Sequence, residues 1–327
     1  MKMRPPATPI ITVDPYFSVW NFSNTLAGND SFHWTGSPNR ISGRLLIDDK
    51  KYLFMGRSDF SEEMMPITCD IDAFSTKYSF ECDEAILNVK FTAPLIIDEL
   101  EILSRPINYM QAEIINKDGN KHKYVLEVTV CDEICLNKKF DYPTIYNSGK
   151  IGSISYASLE NSEQNPLNKD GDDVRIDWGR FILATDNDNS TFDSIKTYDE
   201  NGEISNSIDM KIPFEDKCLI VFAYDDVKSI EYFHNQLDAY WKKYSTDIFD
   251  VIQKSIFEYD GIISRCEIFS NQMILDAKTV GGDEYAEILT LAYRQTIAAH
   301  KLCLGNNEKP LFISVLFLHQ KYGSFPG

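Results

Sequence analysis

The sequence predicts a mainly β chain: an antiparallel β-sandwich followed by C-terminal helices that open an α-helical domain. Three observations predict it. Short apolar–polar alternations, separated by turn residues, recur to about residue 225. No helical period interrupts them. From residue 229 the apolar spacing changes from two to that of a helix.

The strands come first. Gly43 to Gly56 places Leu45-Leu46-Ile47 and Tyr52-Leu53-Phe54-Met55 on either side of Asp48-Asp49-Lys50, which reads as a hairpin. Tyr78, Phe80 and Cys82 alternate with polar residues, as do Leu87, Val89 and Phe91 across Asp83-Glu84, so each strand buries one face. Tyr109 to Ile115 and Tyr124 to Val130 flank Lys117-Asp118-Gly119-Asn120, and Asp-Gly tolerates the positive φ of tight hairpins. Further strands are expected at 151–158, 173–184, 205–212 and 218–224, with loops at 159–171 and 186–192. Many short strands with no helix between them indicate packed antiparallel sheets.

Ile230, Phe233, Leu237, Tyr240 and Tyr244 fall at helical intervals behind Ser229, a suitable N-cap. A second helical run extends from Thr246 through Met273, and Gly281-Gly282-Asp283 breaks it. Asp283 then caps a third helix reaching about Cys303. Its apolar residues lie on more than one face: Tyr285, Ile288, Ala292, Ala299 and Leu302 in one stripe, Leu289, Tyr293 and Ile297 in another. Such a helix belongs among other helices. The expected divisions are a sandwich at 1–225, linker helices at 226–280 and the start of a helical domain at 281–327.

The 327 residues suit about two domains of roughly 150 residues each. A hydrophobic fraction of 43% and a charged fraction of 25% are those of a folded globular protein. A net charge of −18 with dispersed carboxylates excludes the clustered cations that nucleic acid or an anionic membrane requires. No apolar run approaches the ~18 residues of a membrane span. Prolines at 5, 6 and 9 replace the apolar stretch of a signal peptide, so a cytoplasmic location is expected. The seven cysteines are widely spaced; only Cys131 and Cys135 are close, which suits reduced, mostly buried thiols better than a zinc site. No metal and no cofactor are expected.

No complete catalytic signature is present, neither a Gly-x-Ser-x-Gly elbow, nor His-Glu-x-x-His, nor a phosphate loop. Asp14 to Trp20 and His33-Trp34-Thr35-Gly36 are dense in polar-tipped aromatics. They read either as core anchors, with Asp14 and His33 satisfying loop backbone, or as a binding rim at one end of the sandwich. Asp170, Asp172 and Asp173 lack the glycine and terminal glutamate of a calcium loop. Arg175 and Asp177 share a strand face, which suits an ion pair. Arg294-Gln295 and His300-Lys301 lie on the buried third helix. Charged groups there either pair with carboxylates of helices still to come or line a polar substrate pocket.

Taken together in order, these motifs resemble the glutaminase A family. The carriers are Arg4-Pro5-Pro6-Ala7, Asp14 to Trp20, His33 to Gly36, Leu103-Ser104-Arg105-Pro106-Ile107-Asn108-Tyr109, Gly171 to Gly179 and Ala223-Tyr224-Asp225-Asp226. After them come Ala239-Tyr240-Trp241-Lys242, Gly281-Gly282 with Tyr285-Ala286, Leu291 to Gln295 and Ala298 to Lys301. The resemblance implies a β-sandwich, then an α/α toroid like that of six-hairpin glycosidases, and cofactor-free hydrolysis of L-glutamine to L-glutamate and ammonia. Sandwich-plus-toroid architecture also serves carbohydrate-active enzymes, and a non-catalytic binding module is the third possibility. The small-molecule substrate is thus glutamine or a saccharide, with Arg294, Gln295, His300, Asp14, His33 and Trp34 as expected contacts. The family pattern stops at Ser314, where Val315-Leu316-Phe317-Leu318 follows instead of a Lys-Glu-Asn-Phe-Ser-Asn-like run. A truncated toroid is therefore expected, with self-association through its uncovered helices.

Overall fold

The computed structural model describes residues 5–57, 61–169, 174–198 and 204–314. Among these, strands dominate. Besides the short helix α1 (Leu100–Ser104), the α-helices are α2 (Ile248–Phe257) and α3 (Tyr259–Ala298), both beyond the sandwich. The chain is mainly β with antiparallel sheets and C-terminal helices, as the change of period predicts. No described helix is long and apolar enough to cross a membrane.

Two large sheets form the body. Eight described strands make the first, in the order Thr144–Ile151, Ile154–Asn161, Arg180–Thr185, Lys217–Asp225, Ile107–Asn116, Ala85–Thr92, Ser75–Glu81 and Met65–Ile71. Six make the second: Thr191–Tyr198, Ile204–Phe214, Tyr124–Cys131, Ile41–Ile47, Lys50–Met55 and Glu62–Glu63. Pairing is antiparallel except between the last two strands of the second sheet. Asp48 and Asp49, at φ 47° and 75°, close the predicted hairpin between Ile41–Ile47 and Lys50–Met55 with both turn residues left-handed.

Alternation assigns the faces. Leu87, Val89, Phe91, Met110, Ala112, Phe181, Leu183, Ile220 and Phe222 point into the core between the sheets. Their sequence neighbours Ile107, Tyr109, Ile182, Ala184, Val221 and Ala223 belong to a second core on the opposite face. The middle of the eight-stranded sheet is therefore buried on both sides, and the helices cover the second side. Asp247 caps α2 by accepting from Phe249 N at 3.0 Å. Phe249 then packs on Tyr156, ring centroids 4.5 Å apart, and Tyr259 of α3 on Tyr109 at 5.0 Å. Burying each such side chain contributes about 1.5–3 kcal/mol. Arg105 ties α1 to this layer through Glu101 at 3.1 Å, Glu258 at 2.8 Å and Ser255 Oγ at 3.3 Å.

Several elements differ from expectation. The segment expected as a helix from Ser229 is a hairpin of Ile230–Tyr232 and Asn235–Ala239, followed by a 3-10 turn at Tyr240–Lys243. Phe233 and His234, at φ 48° and 62°, form its turn in a conformation no α-helix accepts. Linker helices thus begin at 248 rather than 226. The break at Gly281-Gly282 is present, with Gly282 at φ 76° and ψ −171° inside α3. The last helical stretch stops at Ala298, not Cys303, because His300–Leu304 pairs with Pro310–Ser314 and, through Cys303 and Leu304, with Asn235–Ala239. The Asp118-Gly119 connection is not a hairpin turn: its flanking strands lie in different sheets, so the chain crosses the sandwich there. Strands Thr144–Ile151 and Thr191–Tyr198 are outermost in their sheets and largely solvated, which leaves no apolar alternation in the sequence. Residues 174–177 lie outside any strand. Arg4, Asp170, Asp172, Asp173 and the tail Val315 to Leu318 lie outside the described residues.

Gly179 is the tightest backbone approach. It sits at φ +74°, and a Cβ there would meet Asp225 O at 2.0 Å. Its amide donates to Gln164 Oε1 at 2.6 Å, so the backbone cannot retreat without breaking that bond. Gly179→Ala is expected to cost at least about 2 kcal/mol, combining overpacking with left-handed strain. Urea unfolding of the two proteins measures it; a loss under about 0.5 kcal/mol would show that the loop relaxes freely.

Candidate functional site

The N-terminal strands Thr8–Thr12 and Ser18–Asn21 pair with each other and present the turn between them to the C-terminal part of the chain. Asp14 organises that turn: its Oδ1 accepts from the amides of Tyr16 and Phe17, each at 2.9 Å. Its Oδ2 pairs with Lys301. Lys301 also reaches Asp226 Oδ2 at 2.8 Å, and Ser229 donates its hydroxyl to the same carboxylate. Asp14, Asp226 and Lys301 are all buried. One lysine thus joins the N-terminal turn, the exit of strand Lys217–Asp225 and the C-terminal hairpin.

The electrostatics follow from this closure. Burial opposes the charge on Lys301, but the carboxylates of Asp14 and Asp226 outweigh it and hold the ammonium well above its ordinary value. Burial likewise opposes the charge on Asp226, and Lys301 outweighs it, keeping the carboxyl below its ordinary value. Burial and the neighbouring Asp14 push the Tyr16 phenol up, so it stays protonated.

Above this bridge, Pro15 O is held twice, by His33 Nε2 at 2.9 Å and by Trp34 Nε1–H at 2.7 Å. His33 is fully buried, whereas Trp34 keeps 39% of its surface exposed. Trp34 borders a groove of about 390 Å3 lined by Pro6, Asp14, Pro15, Trp20, Phe22 and Gln295, among others. Of the expected contact residues, Asp14, Trp34 and Gln295 therefore meet in one groove. His33 sits beneath it as a brace.

The other two face elsewhere. Arg294 points into the sandwich and is buried. It donates to the carbonyls of Asp72 at 3.4 Å, Phe74 at 3.3 Å and Ser75 at 3.2 Å, and to Thr76 Oγ1 at 2.9 Å. Its partners are thus supplied by the sandwich and not by carboxylates of further helices. Burial without a paired carboxylate pulls its pKa down to about 10. His300 stacks on Phe312 with centroids 4.6 Å apart and bonds Thr296 O through Nδ1 at 2.8 Å. It borders a small cleft beside Leu103 and Ser104 instead of the Trp34 groove. Lys301 does not share a helix face with Arg294, because the helix has already ended. Arg175 donates to the carbonyls of Pro38, at 3.0 Å, and Asn137, while Asp177 pairs with Lys169. No described group of histidine, cysteine, aspartate and glutamate is arranged to hold a metal ion. What sequence reasoning missed is the partnership of Lys301 with Asp14 and Asp226, and the joint placement of Ser18, Trp20 and Phe22 along the groove. The Asp225-Asp226 pair after an apolar strand is the signal that could have prompted a search for a cation.

Two family models match the sequence, both described as domains of unknown function: DUF4964 over residues 1–67 and DUF5127 over residues 75–216. A curated relative, Glutaminase A of Aspergillus oryzae (strain ATCC 42149 / RIB 40), is 21% identical over 351 residues, covering 94% of this chain and 50% of that protein. The chain spans about half the length of that relative. A solved structure named "Putative kojibiose phosphorylase from human microbiome" matches with a TM-score of 0.39 at 8% identity, covering 83% of this chain and 32% of that one. The likeness to glutaminase A thus stands at the level of distant homology.

Removing one member of a buried ionic cluster strands the rest. Lys301→Met is expected to cost about 3–5 kcal/mol in urea unfolding at pH 7. The sign with pH is set by both partners. The depressed Asp226 contributes stability above the ordinary carboxylate pKa, lost as pH falls, and the raised Lys301 contributes it below the ordinary lysine pKa, lost as pH rises. The gap between the native protein and Lys301→Met should be full from about pH 4 to 10 and shrink outside that window. A gap that does not change with pH would mean that packing, not charge, carries the effect.

Proposed function

We propose that this chain is the sandwich-bearing N-terminal part of a glutaminase A-like amidohydrolase, a protein that hydrolyses L-glutamine to L-glutamate and ammonia. The observation that carries the reading is the extent of the alignment, 94% of this chain at 21% identity. It spans nearly the whole chain instead of resting on one motif. The remaining half of such a protein would be an α/α toroid packed on the helical side.

The described geometry suits a supporting role for this part. Hydrolysis of an amide needs an activated water or nucleophile, a proton donor for the leaving ammonia, and donors for the oxyanion. Asp14, in the groove, is occupied by two amides and Lys301, and His33, beneath it, is enclosed between Pro15 and Thr35. Neither offers a free base. Exposed apolar residues of α3 fit the same reading, with Ile268, Leu275, Val280 and Ile288 at 67%, 59%, 81% and 50% exposure. In the complete protein the toroid helices would cover these residues.

Two outcomes are expected. Purified 1–327 should release no ammonia from glutamine above a no-protein control, whereas a product continuing into a toroid should; robust turnover by 1–327 would place the whole site in the described chain. The isolated chain should also self-associate through these exposed residues of α3, seen as a concentration-dependent rise in mass by light scattering. Leu275→Glu with Ile288→Glu should abolish that rise without unfolding the sandwich. A chain that is monomeric before these substitutions would remove the support these residues lend.

A further inference from the structure

We propose that the groove between the N-terminal hairpin and the end of α3 binds a neutral, polyhydroxylated ring, a saccharide unit. The proposal goes beyond the amidohydrolase reading and does not depend on it.

Charge is the first argument. Among the described residues, Asp14 is the only ionisable one in the lining, and both of its oxygens are occupied, Oδ1 by the Tyr16 and Phe17 amides and Oδ2 by Lys301. The described lining therefore offers no free cation for a carboxylate or phosphate and no free anion for an ammonium group. A zwitterion such as glutamine would bury both its charges unpaired, which is strongly unfavourable. A neutral ligand meets no such cost.

Shape and surface give the second. The volume of about 390 Å3 falls in the range of small-molecule sites, roughly 300–1,000 Å3. Trp20, Phe22 and Trp34 supply aromatic surface, with Pro6 and Pro15 between them. Trp34 is pinned through its N–H to Pro15 O while remaining half-exposed, so the ring is placed before any ligand arrives. Flat aromatic surface of this kind suits the C–H faces of a sugar ring.

Hydrogen-bonding capacity is the third. Ser18 Oγ and Trp20 Nε1 are buried and have no partner among the described residues. Buried polar atoms are normally paired, so two residues that line the groove carry hydrogen-bonding capacity the described residues do not use. The exposed amide of Gln295 adds a donor and an acceptor at the rim. Hydroxyl groups, which both donate and accept, match this set.

The test is a titration of purified 1–327 with glucose, galactose, mannose, xylose, N-acetylglucosamine and their α- and β-linked disaccharides, followed by tryptophan fluorescence and calorimetry. At least one should bind saturably, with Kd on the order of 1 mM. Trp34→Ala should weaken that binding by at least about tenfold, while Trp34→Phe, which keeps an aromatic face, should change it by less than about threefold. Should Trp34→Ala fold poorly, Gln295→Trp fills the groove from an exposed helix position and should abolish binding. L-glutamine and L-glutamate should neither bind there nor compete. The proposal is overturned if no sugar binds saturably, if binding survives both Trp34→Ala and Gln295→Trp, or if glutamine displaces the sugar. None of these readouts involves ammonia release, so the amidohydrolase reading stands or falls separately.

Discussion

The eight-stranded sheet has two apolar faces, and the rest of the molecule is arranged to cover both. Phe181 and Leu183 face one core while Ile182 and Ala184, their immediate neighbours, face the other. Strand Lys217–Asp225 divides its residues in the same way. The six-stranded sheet covers the first face. The second face would leave a large apolar surface in water without α1, α2 and α3, so the helical part is a structural necessity for the sandwich before it is anything else.

Apolar burial is non-directional and does not by itself fix how helices sit on a sheet. Three buried cations supply directional contacts that do. Arg105 joins the loop before strand Ile107–Asn116 to the junction of α2 and α3, Arg294 reads the carbonyls of the Asp72–Ser75 turn, and Lys301 closes on Asp14 and Asp226. Each spans from the helical part to the sandwich. Misplacing the cover would leave these charges unpaired in a dry interior, at several kcal/mol apiece.

This arrangement explains what the sequence revealed and what it hid. Strands with one wet face, such as Ala85–Thr92, alternate clearly and were legible. Outermost strands such as Thr144–Ile151 bury too little to leave a pattern. The hairpin at 230–239 misled for the opposite reason: Ile230 and Leu237 face each other across the pair, and a separation of seven residues also equals two helical turns. Only the left-handed Phe233 and His234 decide between them, and neither residue type announces that conformation. The crossing at Asp118-Gly119 shows that a turn signal fixes local backbone but not which sheet receives the next strand.

The site was half legible for a related reason. Density of aromatic and polar residues located Asp14, His33 and Trp34, which meet around Pro15, but it could not tell a brace from a contact surface. That distinction depends on commitment. A carboxylate already holding two amides and a lysine is chemically spent, and an indole held by its N–H alone still offers its face. The same test separates Arg294 and His300, which look equivalent on a helical projection. Arg294 spends its donors on backbone carbonyls of the sandwich, whereas His300 lies beyond the helix end against Phe312. Where every ionisable group of a groove is bound up by the fold, recognition there is left to shape, aromatic surface and hydroxyl-matching polar atoms.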